Sequence, residues 1–336
     1  MASTPRLFKW LAAAAVVDWL LGRTLTRTAI FMPKAPPVLL AYQGMNVLAQ
    51  LALTASALLT HVGLLWLSWW LYQRSHRRLP AALVILSGLN LLGLFQASSA
   101  GLALAYHLIA LWALAEIALL AARASSGWLP SLTWALPAGA LTAGKLHQLV
   151  ASLPGVLPFA GKPQLALSLF SLGEAFVVAS ALVFGLAFAR QSPHRWIWPV
   201  ASIPALAFSL LYLAAPAMAG VLSIWSVGLT LYLPWPLYAL SLWACTAAML
   251  ASLHRGHSAG LAIPLLMAAG YAPQLSTHFA LGLIALWLLP WGHGPDGLAT
   301  TTPAAARSVL RRCLQASPRA ARHLAPSTCP GRRIRL

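Results

Sequence analysis

An all-α, polytopic transmembrane bundle of about ten spans is the fold this sequence predicts, and three observations predict it. Hydrophobic residues make up 60% of the 336 positions and charged residues 8%, against about 25% charged in an ordinary globular domain. The apolar residues fall in long uninterrupted blocks, as helices need when about 20 residues must cross the hydrocarbon and satisfy every backbone polar group internally. Three of the four acidic residues, Asp18, Glu116 and Glu174, lie inside those blocks. The ten-residue alternating segments of a strand barrel are absent.

The blocks are 7–22, 46–72, 79–97, 102–122, 131–153, 163–189, 196–214, 221–253, 259–273 and 275–291. The first carries Asp18 and Trp19 where a signal peptide would need small residues for cleavage, so it reads as a helix of the mature protein. At 16 residues it is about 24 Å long against a core of roughly 30 Å. An interfacial first helix, and nine spans in all, is therefore the alternative. The eighth block is long for one crossing, and Pro234-Trp235-Pro236 breaks it into a kinked span, two short ones or a re-entrant element. It contains a motif-like run, Trp225 to Pro236, to which no mechanism attaches. Trp66, Trp69, Trp70 and Tyr72, then Trp196 and Trp198, then Trp287 and Trp291 stand at block ends, where aromatic belts form at headgroup depth.

The basic residues set the topology. With the N-terminus in the cytoplasm, Arg6, Lys9, Arg74, Arg77, Arg78, Arg123, Arg190, Arg195 and Arg255 fall inside, and Arg23, Arg27, Lys34 and Lys162 outside, with Lys145 within a span. That asymmetry follows the positive-inside rule and places both termini in the cytoplasm of a cytoplasmic (inner) membrane protein. Two regions result: a helical domain over 1–291 and an Arg-, Pro- and Ala-rich tail over 292–336. The tail lacks the apolar content for a core and is predicted to be disordered. Its eight arginines suit anionic lipid on the cytoplasmic face, or simple anchoring. The net charge of +18 is a matter of topology rather than of nucleic-acid binding, because the basic residues are scattered or confined to the tail.

The chemistry must come from ionisable groups within the spans, since a charge in the hydrocarbon costs roughly 2.5–3.5 kcal/mol on insertion scales and such groups tend to face the bundle interior. Lys145 belongs to a polar stripe, Thr142, Lys145, Gln148 and Ser152, on one helix face. Counted from the outer loops, Lys145 and Glu174 lie at similar depths on consecutive antiparallel helices. His61 and Glu116 lie together near the midplane. Such groups form substrate or proton paths in carriers. A second set, Asp18, His107, His147 and His278, lies at one shallower depth, roughly 5–9 Å below the outer surface at 1.5 Å per residue. A divalent metal would find ligands there, or a haem, with His107 and His278 from separate helices as axial ligands.

Three functions remain open. The leading one is a proton-coupled small-molecule carrier or permease with Glu116, Glu174, Lys145, His61 and Gln148 along its path. A haem- or metal-binding redox subunit using His107, His147, His278 and Asp18 is the alternative, and a structural or assembly subunit is the third. An enzyme is disfavoured. No loop outside the tail exceeds about 23 residues, and Gly144-Lys145 and Gly161-Lys162 lack the spacing of a phosphate loop. The three cysteines show no paired-thiol metal or redox spacing.

Overall fold

Each apolar block that the structure describes is a helix. The computed structural model describes residues 6–28, 36–74, 76–94, 100–124, 128–153, 162–190, 192, 194–214, 235–255, 259–271 and 276–289, all within one compact unit, Ser3–Gly294. The tail over 292–336 and the stretch 221–234, with most of its motif-like run, lie outside the described residues. In chain order the helices are α1 (Arg6–Thr28), α2 (Pro36–Gln73), α3 (Arg78–Leu94), α4 (Ala100–Ala124) and α5 (Trp128–Ser152). They continue with α6 (Pro163–Phe184), extended by a π turn over Gly185–Ala189, then α7 (Ile197–Ala214), α8 (Trp235–His254), α9 (Ala259–Tyr271) and α10 (Ser276–Leu288). No strand occurs among the described residues.

Several boundaries differ from those the sequence suggested, each for a local reason. The first helix does not stop at residue 22. Gly22 to Thr28 continue it, so that Arg23 and Arg27 belong to α1 rather than to a loop. Its 23 residues make about 35 Å of helix, which removes the length argument against a first span. α2 begins ten residues before its apolar block, at Pro36-Pro37, where proline's fixed φ suits the first turn and its missing N–H costs nothing. Pro236 likewise lies in the first turn of α8, where proline fits; the preceding part of the block, over which a kink or a break was expected, lies outside the described residues.

The packing closes on itself. α1 packs on α2, α2 on α3, α3 on α4, α4 on α5 and α5 on α6; α6 meets α8, α8 meets α9, and α9 returns to α1. α10 touches α2, α4, α5 and α9, and α7 lies against α8. From His278 to Leu288 every residue of α10 is buried. A helix that is apolar all round is buried in protein or in lipid, and α10 is buried against α1, α2, α4, α5 and α9. Small residues permit this closeness: Gly282 leaves room for the Leu141 side chain, which a Cβ there would meet at 2.7 Å, and Gly63 faces Ile284. Between α5 and α6, Gly173 lies over Ala140, Ala143 and Gly144, the small-residue contact by which apolar helices associate.

The outward surface is apolar as well. Val47, Leu51, Leu58, Leu65, Trp69 and Tyr72 form an exposed stripe down α2, and Ile203, Leu206 and Leu210 one on α7. Four helical stretches are long and apolar enough to cross a membrane: Leu39–Gln73, Ala100–Ala122, Pro163–Ala189 and Pro236–His254. These are the features of a membrane protein. α1 and α5, which carry Asp18 and Lys145, have the length for a crossing but more polar sequences. The belt reading applies to only part of the aromatics at the end of α2. Trp69 and Tyr72 face outward, whereas Trp66 and Trp70 turn inward onto Trp287 (6.2 and 5.3 Å between centroids), and Phe8 joins them at 5.3 Å from Trp66.

Candidate functional site

α1 carries Asp18 into the interior about ten residues beyond Phe8, and α10 runs the other way, from His278 near its start to Trp287 near its end. The two helices are therefore pinned twice. At one end Phe8 meets Trp287 with ring centroids 5.8 Å apart. At the other, His278 Nε2 lies 2.7 Å from Asp18 Oδ2, with both side chains at or below 5% exposure. A buried carboxyl group needs a hydrogen-bond partner, and the imidazole provides it.

The residue after His278 leads to a second polar centre. Phe279 places its ring 4.5 Å from Lys145 Nζ, and Tyr106 on α4 places its own at 4.9 Å. Lys145 is 1% exposed and donates to Gln148 Oε1 at 2.6 Å, three residues on along α5. The polar stripe read from the sequence thus points inward. Two aromatic faces and a charge-assisted hydrogen bond partly offset the cost of burying the ammonium. Among the described residues no carboxylate lies within ion-pair distance of it, the one such pair being Asp18 with His278. Around Tyr106 the polar groups continue. Its hydroxyl reaches the Ser276 carbonyl at 3.5 Å, the Asn90 side chain from α3 stands beside that hydroxyl, and His107 follows it in the chain within electrostatic reach of Lys145. Five helices, α1, α3, α4, α5 and α10, contribute to one constellation near the start of α10.

Of the residues singled out by sequence, Lys145, Gln148, His107, His278 and Asp18 belong to this constellation. The others are placed elsewhere. His147 is two residues from Lys145, about 200° around the helix, and its Nδ1 donates to the Ala166 carbonyl of α6 at 2.7 Å. His61 hydrogen-bonds Ser87 on α3 through Nδ1 at 3.0 Å. Glu116 accepts from Trp112 Nε1 on its own helix at 3.3 Å. The two therefore do not form the pair that their depths suggested. Glu174 is half-buried on α6 and makes a polar contact of its own.

Of the four groups read at one depth as metal ligands, Asp18 and His278 meet. No group of three or more His, Cys, Asp or Glu is gathered for a metal ion among the described residues. His147 is turned to α6, and His107 lies beside a cationic side chain, where a metal cation would be repelled.

Sequence reasoning missed Asn90, Tyr106, Ser276 and Phe279. Asn90 is one of two asparagines in the chain, and an amide within an apolar span was a usable signal. Tyr106 and Phe279 carried none that set them apart from core aromatics. No family model, curated protein or solved structure matches this chain.

Proposed function

We propose that this protein is a multi-pass carrier of the cytoplasmic membrane, with ten spans and both termini in the cytoplasm, that moves a small solute in exchange with or together with protons. Lys145 and Gln148 lie on the solute path. Asp18 and His278 exchange the coupled proton. The observation that carries this reading is the constellation itself: a lysine and a carboxylate–imidazole pair at the centre of a bundle whose outer surface is apolar. Such groups are costly in that setting and are characteristically kept for substrate and proton pathways. A purely structural role would be served by neutral contacts of about 0.6 kcal/mol each, the average found between membrane helices. The Arg-rich tail is proposed to rest on anionic lipid at the cytoplasmic face.

The test is flux in proteoliposomes that trap a pH-sensitive dye, with a panel of small acids, amines and neutral solutes applied outside. The wild-type chain is expected to show solute-dependent proton movement. Asp18→Asn should uncouple or abolish that movement, and Lys145→Met should abolish solute flux. If the reconstituted wild-type protein moves neither solute nor proton across the whole panel, the carrier reading fails.

A further inference from the structure

Asn90, His107 and Lys145 converge around Tyr106 from three helices, and all three carry nitrogen atoms whose hydrogen-bonding capacity the protein leaves unused. Lys145 has three N–H groups, and Gln148 takes one of them. The Nδ2 of Asn90 is buried with only the Tyr106 hydroxyl beside it, and the Nδ1 of His107, a donor in its Nδ1–H tautomer, is buried with no hydrogen-bond partner. Buried polar atoms without partners are rare in folded proteins, and each calls for an explanation. Here they gather around one side chain: the Tyr106 ring lies under the Lys145 ammonium, its hydroxyl stands beside Asn90, and His107 is its chain neighbour. The one buried carboxylate nearby, Asp18, is engaged by His278. Water would satisfy the N–H groups but not the charge. A group that carries only acceptors, together with negative charge, satisfies both.

We infer that Asn90, His107 and Lys145 form a binding site for a small oxyanion, a carboxylate or a phosphate. As the transported solute, that oxyanion rests on the carrier reading; as a bound ligand it does not. A free anion and the phosphate of a lipid headgroup present the same oxygen atoms, so the experiment has an arm for each.

The full chain in zwitterionic detergent is unfolded thermally, with tryptophan fluorescence as the readout, in acetate, propionate, inorganic phosphate, or chloride at matched ionic strength. A parallel series uses short-chain phosphatidic acid against short-chain phosphatidylcholine. At least one oxyanion should raise the midpoint concentration-dependently beyond chloride, as any ligand selective for the folded state does. Lys145→Met should remove the shift and Lys145→Arg retain it. Asn90→Leu should weaken binding roughly tenfold, the scale of one hydrogen bond to a charged group. Asn90→Asp sets a carboxylate against the anion and should abolish the shift even if Lys145→Met fails to fold. A response to phosphatidic acid alone upholds the site and identifies its ligand as a lipid phosphate. No shift beyond chloride with any probe, or a shift that survives Asn90→Asp, overturns the inference. If an anion binds but liposomes loaded with it show no exchange, the carrier reading falls and the site remains.

Discussion

Asp18 and His278 are separated by 260 residues of chain and by 2.7 Å in space. Removing one partner of a buried hydrogen-bonded pair leaves the other unsatisfied, at a cost of about 1–3 kcal/mol or more, whereas replacing both with apolar groups can be nearly neutral. Asp18→Leu and His278→Leu are therefore each expected to destabilise the protein strongly, and the double variant by less than their sum. A double-mutant cycle measured by denaturation in mixed micelles would show a coupling energy well above the roughly 0.6 kcal/mol of an average interhelical hydrogen bond. A coupling near zero would mean that the pair does not hold the two helices together. This contact was half legible in the sequence. Counting residues from the loops placed Asp18 and His278 at one depth, which was sound, because rise per residue is fixed. The same count placed His61 with Glu116, and there it failed. Depth says nothing of azimuth, and His61 faces Ser87 on α3 while Glu116 bonds within α4.

Among the helices, α6 shows most clearly what an apolar block leaves unsaid. The block 163–189 reads as one continuous helix, yet its last turn widens into a π turn over Gly185–Ala189, with the Arg190 N–H bonded to the Gly185 carbonyl. The turn opens on a glycine that lies hard against a neighbour. A Cβ on Gly185 would lie 2.6 Å from the Ala244 Cβ and 3.1 Å from its Cα on α8, so the two backbones meet where no side chain fits. Alanine normally gains up to about 1 kcal/mol over glycine within a helix. At this position the overlap involves backbone that cannot swing aside, and forced overpacking costs about 1–3 kcal/mol. Gly185→Ala is expected to lower the unfolding midpoint and Ala244→Gly, combined with it, to recover part of the loss. A Gly185→Ala variant as stable as the parent would show that the approach of α6 to α8 is looser than described. The existence and order of the helices were readable because burial in lipid or protein demands long apolar runs. Their ends were not, since Gly22 to Thr28 in α1 are helical without being strongly apolar and α2 starts at Pro36, ahead of its longest apolar run.

For the molecule as a whole, the orientation proposed here makes opposite loops reachable from opposite sides. In a chain whose tail cysteines Cys313 and Cys329 are changed to serine, and whose Cys245 is buried, a single cysteine at His76 or Arg195 should react with a membrane-impermeant thiol reagent only from the cytoplasmic side. One at Lys162 should react only from the outside. Labelling of both sets from the same side would overturn the ten-span topology. The circuit of packed helices also has an order in time. α10 is buried along its length and is the last helix among those described, so a ribosome making this chain delivers α1, α2, α4, α5 and α9 before the helix they pack around. Until His278 and Trp287 emerge, Asp18 lacks its imidazole partner and Phe8 has Trp66 but not yet Trp287 to pack on. A chain stopped short of Ser276 would leave those five helices without the one they pack around.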